Sequence, residues 1–301
     1  MIINKEKFNS ILEESEKKIL VTTKSLKKDA NILIKNQAIK TIIVSAEPTI
    51  SDVQSYLHQI RHIEFDLIIA IGGGSAIDTT KILTSNIDKS ENIEHDLSQN
   101  INFKKLIKSV CVPTTAGTGA EVTSFATVWN KEDKKKYSFK CDNGSPDFIY
   151  FAPKLLIKLR PDILKFSILD SLSHCLDSAL NCKRTDESLK NVNHGLDLIL
   201  KNYSNLKSQK NLKNLLEASY FAGLAINETK TSILHAISYP FTYKHNIPHG
   251  LAVGMSICNL LGNEKCLKEL NSVILVKDFN IRIRSLLSEF NVNEYKEKYI
   301  N

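Results

Sequence analysis

Long apolar runs are missing from this chain of 301 residues, and none reaches the roughly 20 residues that a membrane-spanning helix needs. The opening stretch, MIINKEKFNSILEESEKKIL, carries charge throughout and has no apolar centre, so no signal peptide is expected. Cysteine is sparse and unpaired. The six residues, at 111, 141, 175, 182, 258 and 266, form no C-x-x-C pair and no metal-ligand spacing. That excludes a disulfide framework and points to a reduced, cytoplasmic setting. Internal repeats and low-complexity segments are also absent. Although the net charge is +7, the lysines are spread along the chain, with KEDKKKYSFK as the densest cluster. Without a basic stripe interleaved with aromatics, they read as solvated surface, and a nucleic-acid partner is not expected. A positive field of this size suits an anionic small molecule.

With 42% hydrophobic and 24% charged residues, the chain has the composition of a globular protein and the length for two domains. Its first half alternates short apolar runs with polar, helix-like stretches. KKILVTT, centred on 18–23, and TIIVSA, 41–46, read as strands. EPTISDVQSYLHQIRH reads as a turn at Pro48 followed by an amphipathic helix. FDLIIAIGGGS is a buried strand ending in a glycine turn, SAIDTTKILTSN is a helix, and LIKSVCVPTTAGTG is another strand and loop. Alternating strands and helices predict a parallel, Rossmann-like sheet with helical crossovers. After residue 152 the pattern changes to helical spacing with few β-branched runs. The predicted organisation is therefore an α/β domain over 1–152 and an all-α domain over 153–301.

Two loops carry ligand-binding character. In IGGGSAIDTTK, Gly72, Gly73 and Gly74 follow a buried strand and precede a helix. Backbone without side chains lets a phosphate approach the helix N-terminus, where unpaired N–H groups and the dipole favour an anion. Ser75 is placed to cap that helix, and Asp78 is placed in its first turn. A tight turn without a ligand would look similar, and the stretch is not the G-x-G-x-x-G fingerprint. The second loop, VPTTAGTGAEVTSFA, ends another apolar strand and offers Thr114, Thr115 and Thr118 as hydrogen-bonding groups. Loops beyond the carboxyl ends of parallel strands are where such sheets bind ligands, so the pair favours a dinucleotide site.

In DSLSH, Asp170 and His174 are four apart and share one face of a helix. His235 and His249 follow on segments expected to be separate, because Pro240 and Pro248 should break the helix between them. YKHNIPHG then reads as a loop that returns His249 to His235. One Asp and three His make a mixed N/O set suited to Fe(II) or Zn(II), although a single His is more often a packing residue than a ligand. His194 and His245 lie outside this set, with His245 near enough in sequence to be a substrate contact.

GGGSAIDTTK, PTTAGTGAEVTSFA, DSLSHCLDS and HAISYPFTYKHNIPHGLAVGM occur in the order and approximate spacing of the iron-dependent (group III) alcohol dehydrogenases, which the chain resembles over roughly residues 18–258. The resemblance implies the dehydroquinate synthase-like fold, with a nucleotide-binding domain, a helical metal domain and the active site between them. It implies Asp170, His174, His235 and His249 as metal ligands, with Fe(II) the expected metal and Zn(II) the alternative. Gly72, Gly73, Gly74, Ser75, Asp78, Thr114, Thr115, Thr118 and Lys136 match positions that line the NADH or NADPH site.

Three departures from the family pattern stand out. Tyr239 occupies a position, four after His235, where many relatives carry another His; the surrounding SYPFT…IPHG is similar to the branch that reduces phosphonoacetaldehyde to 2-hydroxyethylphosphonate. Thr23 stands where several NAD-preferring relatives have an Asp that would repel a 2′-phosphate, which leaves NADPH open. Both ends look short, with the family's first strand not recognisable and only 52 residues after His249. The implied activity is metal-dependent interconversion of a small aldehyde and its primary alcohol, with Tyr239, His245 or water moving the proton. A homodimer is compatible with the resemblance. The alternatives are a non-redox NAD/metal enzyme of the dehydroquinate synthase-like superfamily, or a degenerate member without catalysis.

Overall fold

The computed structural model describes residues 1–90, 92–133 and 135–300, and these divide into two compact units. The first comprises Met1–Thr114 with Ala120–Ala152, and the second Thr115–Gly119 with Pro153–Asn301.

Chain order in the first unit is β1 (Ile2–Ile3), α1 (Lys5–Glu14), β2 (Lys18–Thr22), α2 (Lys27–Leu33), β3 (Ala38–Ile43), α3 (Ile50–Ile60), β4 (Leu67–Gly72), α4 (Gly74–Leu83) and α5 (Ile93–Ser98). It continues with β5 (Asn102–Lys104), β6 (Lys108–Pro113), β7 (Phe125–Asn130), β8 (Lys135–Asp142) and β9 (Phe148–Tyr150). Six of these strands form a sheet in the order β1-β9-β6-β4-β2-β3, and every neighbouring pair is parallel. β2 and β4 are buried at every position, as strands covered on both faces must be. Their unbroken apolar runs, ILV and LIIAI, are the reason both were visible in the sequence. Strand order reverses at β2, which has β3 on one side and β4 on the other. A crevice outside the carboxyl ends of β2 and β4 follows from that reversal.

Some local expectations need correction. A short strand precedes α1: Ile2 and Ile3 pair with Ile149 and Tyr150 at the sheet edge. Two residues are too few to show a period in sequence. β3 begins at Ala38 rather than 41, because its register is set by pairing Lys18 with Ala38 along β2. A second, three-stranded sheet, β5-β8-β7, was not anticipated. Its apolar residues Phe103, Val128 and Phe139 pack with Ile82 and Val53 from the helices, and the rings of Phe103 and Phe139 stack 5.1 Å apart.

The second unit is helical: α6 (Pro153–Leu156), α7 (Pro161–Leu180), α8 (Asp186–Asn202), α9 (Gln209–Thr229), α10 (Ile233–His245), α11 (His249–Leu261), α12 (Glu264–Val273), α13 (Phe279–Glu289) and α14 (Val292–Ile300). Pro161 opens α7 at its first turn, where a missing N–H costs nothing. From Ile168 to Ala179 every residue of α7 is buried, so this helix is surrounded by others on all sides. α8, α9, α10, α11 and α12 all pack on it. None of the described helices is long and apolar enough to cross a membrane.

Candidate active site

The parallel-sheet arrangement brings one set of predicted residues to the carboxyl ends of adjacent strands. Thr23 follows β2, the Gly72–Gly74 turn ends β4, and Thr114 follows β6. The Thr114 N–H donates to the Gly72 carbonyl at 3.0 Å, tying two of these ends together. α4 starts with Gly73 as its N-cap and has no side-chain cap, so its first-turn donors are available to an anion. Ser75 is therefore not the cap; its Oγ accepts the Glu47 N–H at 3.2 Å. Asp78 lies beyond the first turn, because the helix starts at Gly74. Its carboxylate instead accepts from the buried Lys81 Nζ at 2.9 Å and the Thr127 N–H at 3.0 Å, holding α4 to β7. Lys136 is exposed on β8 with its ammonium 5.6 Å from the Trp129 ring centre. Thr115 and Thr118 fall in the short segment, 115–119, that groups with the helical unit.

The metal-ligand candidates meet in the second unit. Asp170 and His174 project from the same face of α7, His235 from the first turn of α10, and His249 opens α11. Asp170 Oδ1 lies 3.6 Å from His174 Nε2, 3.5 Å from His235 Nε2 and 3.5 Å from His249 Nε2. Asp170, His174 and His235 form a buried group whose ligand atoms all lie within 4.8 Å of one another. His249 joins it through Asp170 and is the most open member, with 36% of its side chain exposed. The His174 and His235 rings stack 4.9 Å apart.

Hydrogen bonds behind the rings determine what they present. His174 Nδ1 is 3.1 Å from the Gly117 carbonyl, which can only accept, so the proton sits on Nδ1 and Nε2 faces Asp170. His235 Nδ1 is held in the same way at 2.8 Å by Asp177. Asp170 Oδ1, in the middle, is buried with no hydrogen bond. An oxygen facing imidazole nitrogens at more than hydrogen-bonding distance is the donor set of a divalent cation, and the residues fit one. Burial pushes the His174 imidazole down to about 4. Burial would likewise lower His235, but the Asp170 and Asp177 carboxylates outweigh it and raise its pKa. Burial acts to raise the Asp170 carboxyl, and its imidazole neighbours in their protonated forms outweigh that and hold it well below the usual carboxylate range.

Two expectations about the connecting segment change. Pro240 does not break the helix: α10 runs through it to His245. The proline removes only the bond to the Ala236 carbonyl, a loss that neighbouring turns tolerate on a face where both residues are exposed. What ends α10 is Asn246, in the left-handed region at φ 51°. The return from α10 to α11 is therefore only Asn246, Ile247 and Pro248, shorter than the loop expected. Tyr239 stacks against His249 with ring centres 6.5 Å apart. His245 is exposed, ten residues beyond His235, or about 15 Å along the helix.

Sequence reasoning missed Asp177. It stands seven residues after Asp170 and three after His174, so the spacing i, i+4, i+7 of one helical face was available as a signal. Gly117, within the loop read as cofactor-binding, was not singled out, and its carbonyl lies 3.1 Å from His174 Nδ1.

Comparison with known proteins places this architecture. The sulfoacetaldehyde reductase of Bifidobacterium kashiwanohense, solved with NAD+, superimposes with a TM-score of 0.85 at 24% identity, covering 96% of this chain and 84% of that one. A crystal structure of an iron-containing alcohol dehydrogenase superimposes at 0.82, also at 24% identity, covering 97% and 84%. Both matches show the fold. The profile of the iron-containing alcohol dehydrogenases matches residues 4–153, and the C-terminal profile of the same family matches residues 166–273. The chain belongs to the iron-containing alcohol dehydrogenase family. Phosphonoacetaldehyde reductase of Streptomyces viridochromogenes is 31% identical over 233 residues, 73% of this chain and 59% of that protein. The chain thus spans little more than half the length of that relative.

Proposed function

We propose that the chain is a metal-dependent NAD(P)H oxidoreductase that interconverts a small aldehyde and its primary alcohol. The observation that carries this reading is the unpartnered Asp170 Oδ1 with three imidazole Nε2 atoms around it. Asp170, His174, His235 and His249 would hold the metal, Fe(II) or Zn(II). Gly72, Gly73, Gly74, Ser75, Thr114, Thr115, Thr118, Thr23 and Lys136 are assigned to the nucleotide, and Asp78 acts by fixing the helix that binds it. A bound metal supplies a Lewis acid and a reduced nicotinamide supplies the hydride. This chain's own residues have three tasks. His174 and His235 present Nε2 because their Nδ1 protons are engaged. The α4 N-terminus offers backbone N–H groups to a pyrophosphate. Tyr239, stacked on His249, is assigned as the proton donor in preference to His245, which lies far along α10.

An anionic substrate suits the net charge of +7, and phosphonoacetaldehyde is the first candidate because a reductase of that compound is the 31%-identical relative. Sulfoacetaldehyde is the second, since a reductase of it from Bilophila wadsworthia is 26% identical over 216 residues. The test is a panel of aldehydes, both included, mixed with metal-loaded protein and NADH or NADPH while the reduced nicotinamide absorbance is followed. Nicotinamide oxidation that requires an aldehyde supports the reading. No turnover with any aldehyde despite bound metal favours a non-redox or non-catalytic member instead. Tyr239→Phe should lower kcat by roughly 10²–10⁴-fold with metal content unchanged; unchanged kcat reassigns the proton donor.

A further inference from the structure

Asp177 has more partners than any other carboxylate among the described residues around the metal-ligand group, and all of them are donors of Ser232, Leu234 and His235. It is fully buried on α7. One oxygen accepts the Ser232 Oγ–H at 3.0 Å and the Leu234 N–H at 2.8 Å. The other accepts the Ser232 N–H at 2.9 Å, the His235 N–H at 3.4 Å and the His235 Nδ1–H at 2.8 Å. A side chain surrounded only by donors is ionised and acceptor-only.

Those contacts do two separate things. Ser232, the N-cap residue of α10, provides no side-chain cap of its own. Asp177 supplies the missing acceptor from another helix, so the first turn of α10 is anchored to α7. The same carboxylate engages Nδ1 of His235, which leaves Nε2, 3.5 Å from Asp170 Oδ1, as the ring atom facing the ligand group. With Nδ1 deprotonated, His235 would carry its proton on Nε2 and present hydrogen where a lone pair is needed. The arrangement differs from that at His174, whose Nδ1 partner is a neutral peptide carbonyl. A full negative charge behind the ring makes His235 the more basic of the two ligands.

We propose that Asp177 is a positioning residue that both anchors the first turn of α10 and locks His235 in the Nδ1–H tautomer, so that metal affinity depends on it. This rests on the reading of Asp170, His174, His235 and His249 as a metal site. A purely structural role would predict that replacing Asp177 loosens the helix and weakens the metal site only as far as the fold is lost.

The decisive experiment has two parts. In metal-free wild-type protein, at a pH where the ring is neutral, the ¹⁵N shifts of His235 should report protonated Nδ1 and unprotonated Nε2. A dominant Nε2–H form overturns the proposal, and this measurement needs no variant. Co(II) titration, followed by its visible absorption, then compares Asp177→Ala in two backgrounds. In the otherwise wild-type chain the substitution should weaken Co(II) binding by roughly 10–100-fold. In a His235→Ala background, where three candidate ligands remain, it should change affinity less than twofold. Equal losses in both backgrounds show that Asp177 acts on the fold and not through His235, which overturns the proposal. Should Asp177→Ala not fold, the tautomer measurement decides. Wild-type protein that binds no Co(II) overturns the metal-site reading itself, and with it the link to affinity, independently of any substitution.

Discussion

Asp170 and Glu121 show how a buried carboxylate is treated by its surroundings. Asp170 Oδ1 has no hydrogen bond, and the three imidazoles around it, in their protonated forms, hold its pKa well below the usual carboxylate range against burial. Glu121 is also buried with an unpartnered oxygen, but burial dominates there and pushes its pKa up to about 7, with Lys81 pulling only partly the other way. The consequence for stability has a definite sign. Between about pH 4.5, where the unfolded side chain titrates, and about 7, the folded state keeps a proton that the unfolded state loses. Stability contributed at this position therefore falls as pH rises through that window, by on the order of 3 kcal/mol. Glu121→Gln removes the titration, so its stability relative to wild type should increase from pH 5 to pH 8 in denaturant melts. A constant difference across that range would show that Glu121 is ionised throughout.

At the scale of elements, α7, α10 and α11 matter most. α11 starts at His249, and Gly250 follows it against the backbone of α7: an added Cβ would sit 2.1 Å from the Phe166 carbonyl oxygen. Backbone cannot move aside as a side chain can, so Gly250→Ala should cost about 1–3 kcal/mol or more and weaken metal binding through its neighbour His249. Gly254 is the internal control. Its added Cβ would meet only the end of the Leu169 side chain, at 2.7 Å, so Gly254→Ala should cost less and leave metal affinity nearer wild type. Melting curves and metal titrations of the two variants check both statements, and equal losses would contradict them. Much of this scale was legible in the sequence. The strands β2, β4 and β6 carried their apolar runs, and the i, i+4 pair Asp170 and His174 marked one helix face. Other features depended on partners distant in sequence. The start of β3 is fixed by register against β2, and Asp177 takes its role from Ser232 and Leu234, more than 50 residues away. Pro240 was misread because a proline removes one hydrogen bond, and α10 has enough other contacts to continue through it.

For the molecule as a whole, both the fold class and the family were readable, because four ordered motifs and a change of periodicity near residue 152 are global signals. The short second sheet was not, since β5 has only three residues and its pairing is non-local. Ligands that bind only the folded chain must also stabilise it. A metal present at about 100 times its Kd should add about 2.7 kcal/mol, and a chelator should reverse the gain. The same chelation tests whether turnover depends on the metal. Protein stripped of metal and reloaded anaerobically with Fe(II) or Zn(II) is assayed for aldehyde-dependent oxidation of NADH or NADPH. Activity should disappear with the metal, return on reloading, and not be restored in His235→Ala. Full activity in metal-free protein would contradict that dependence.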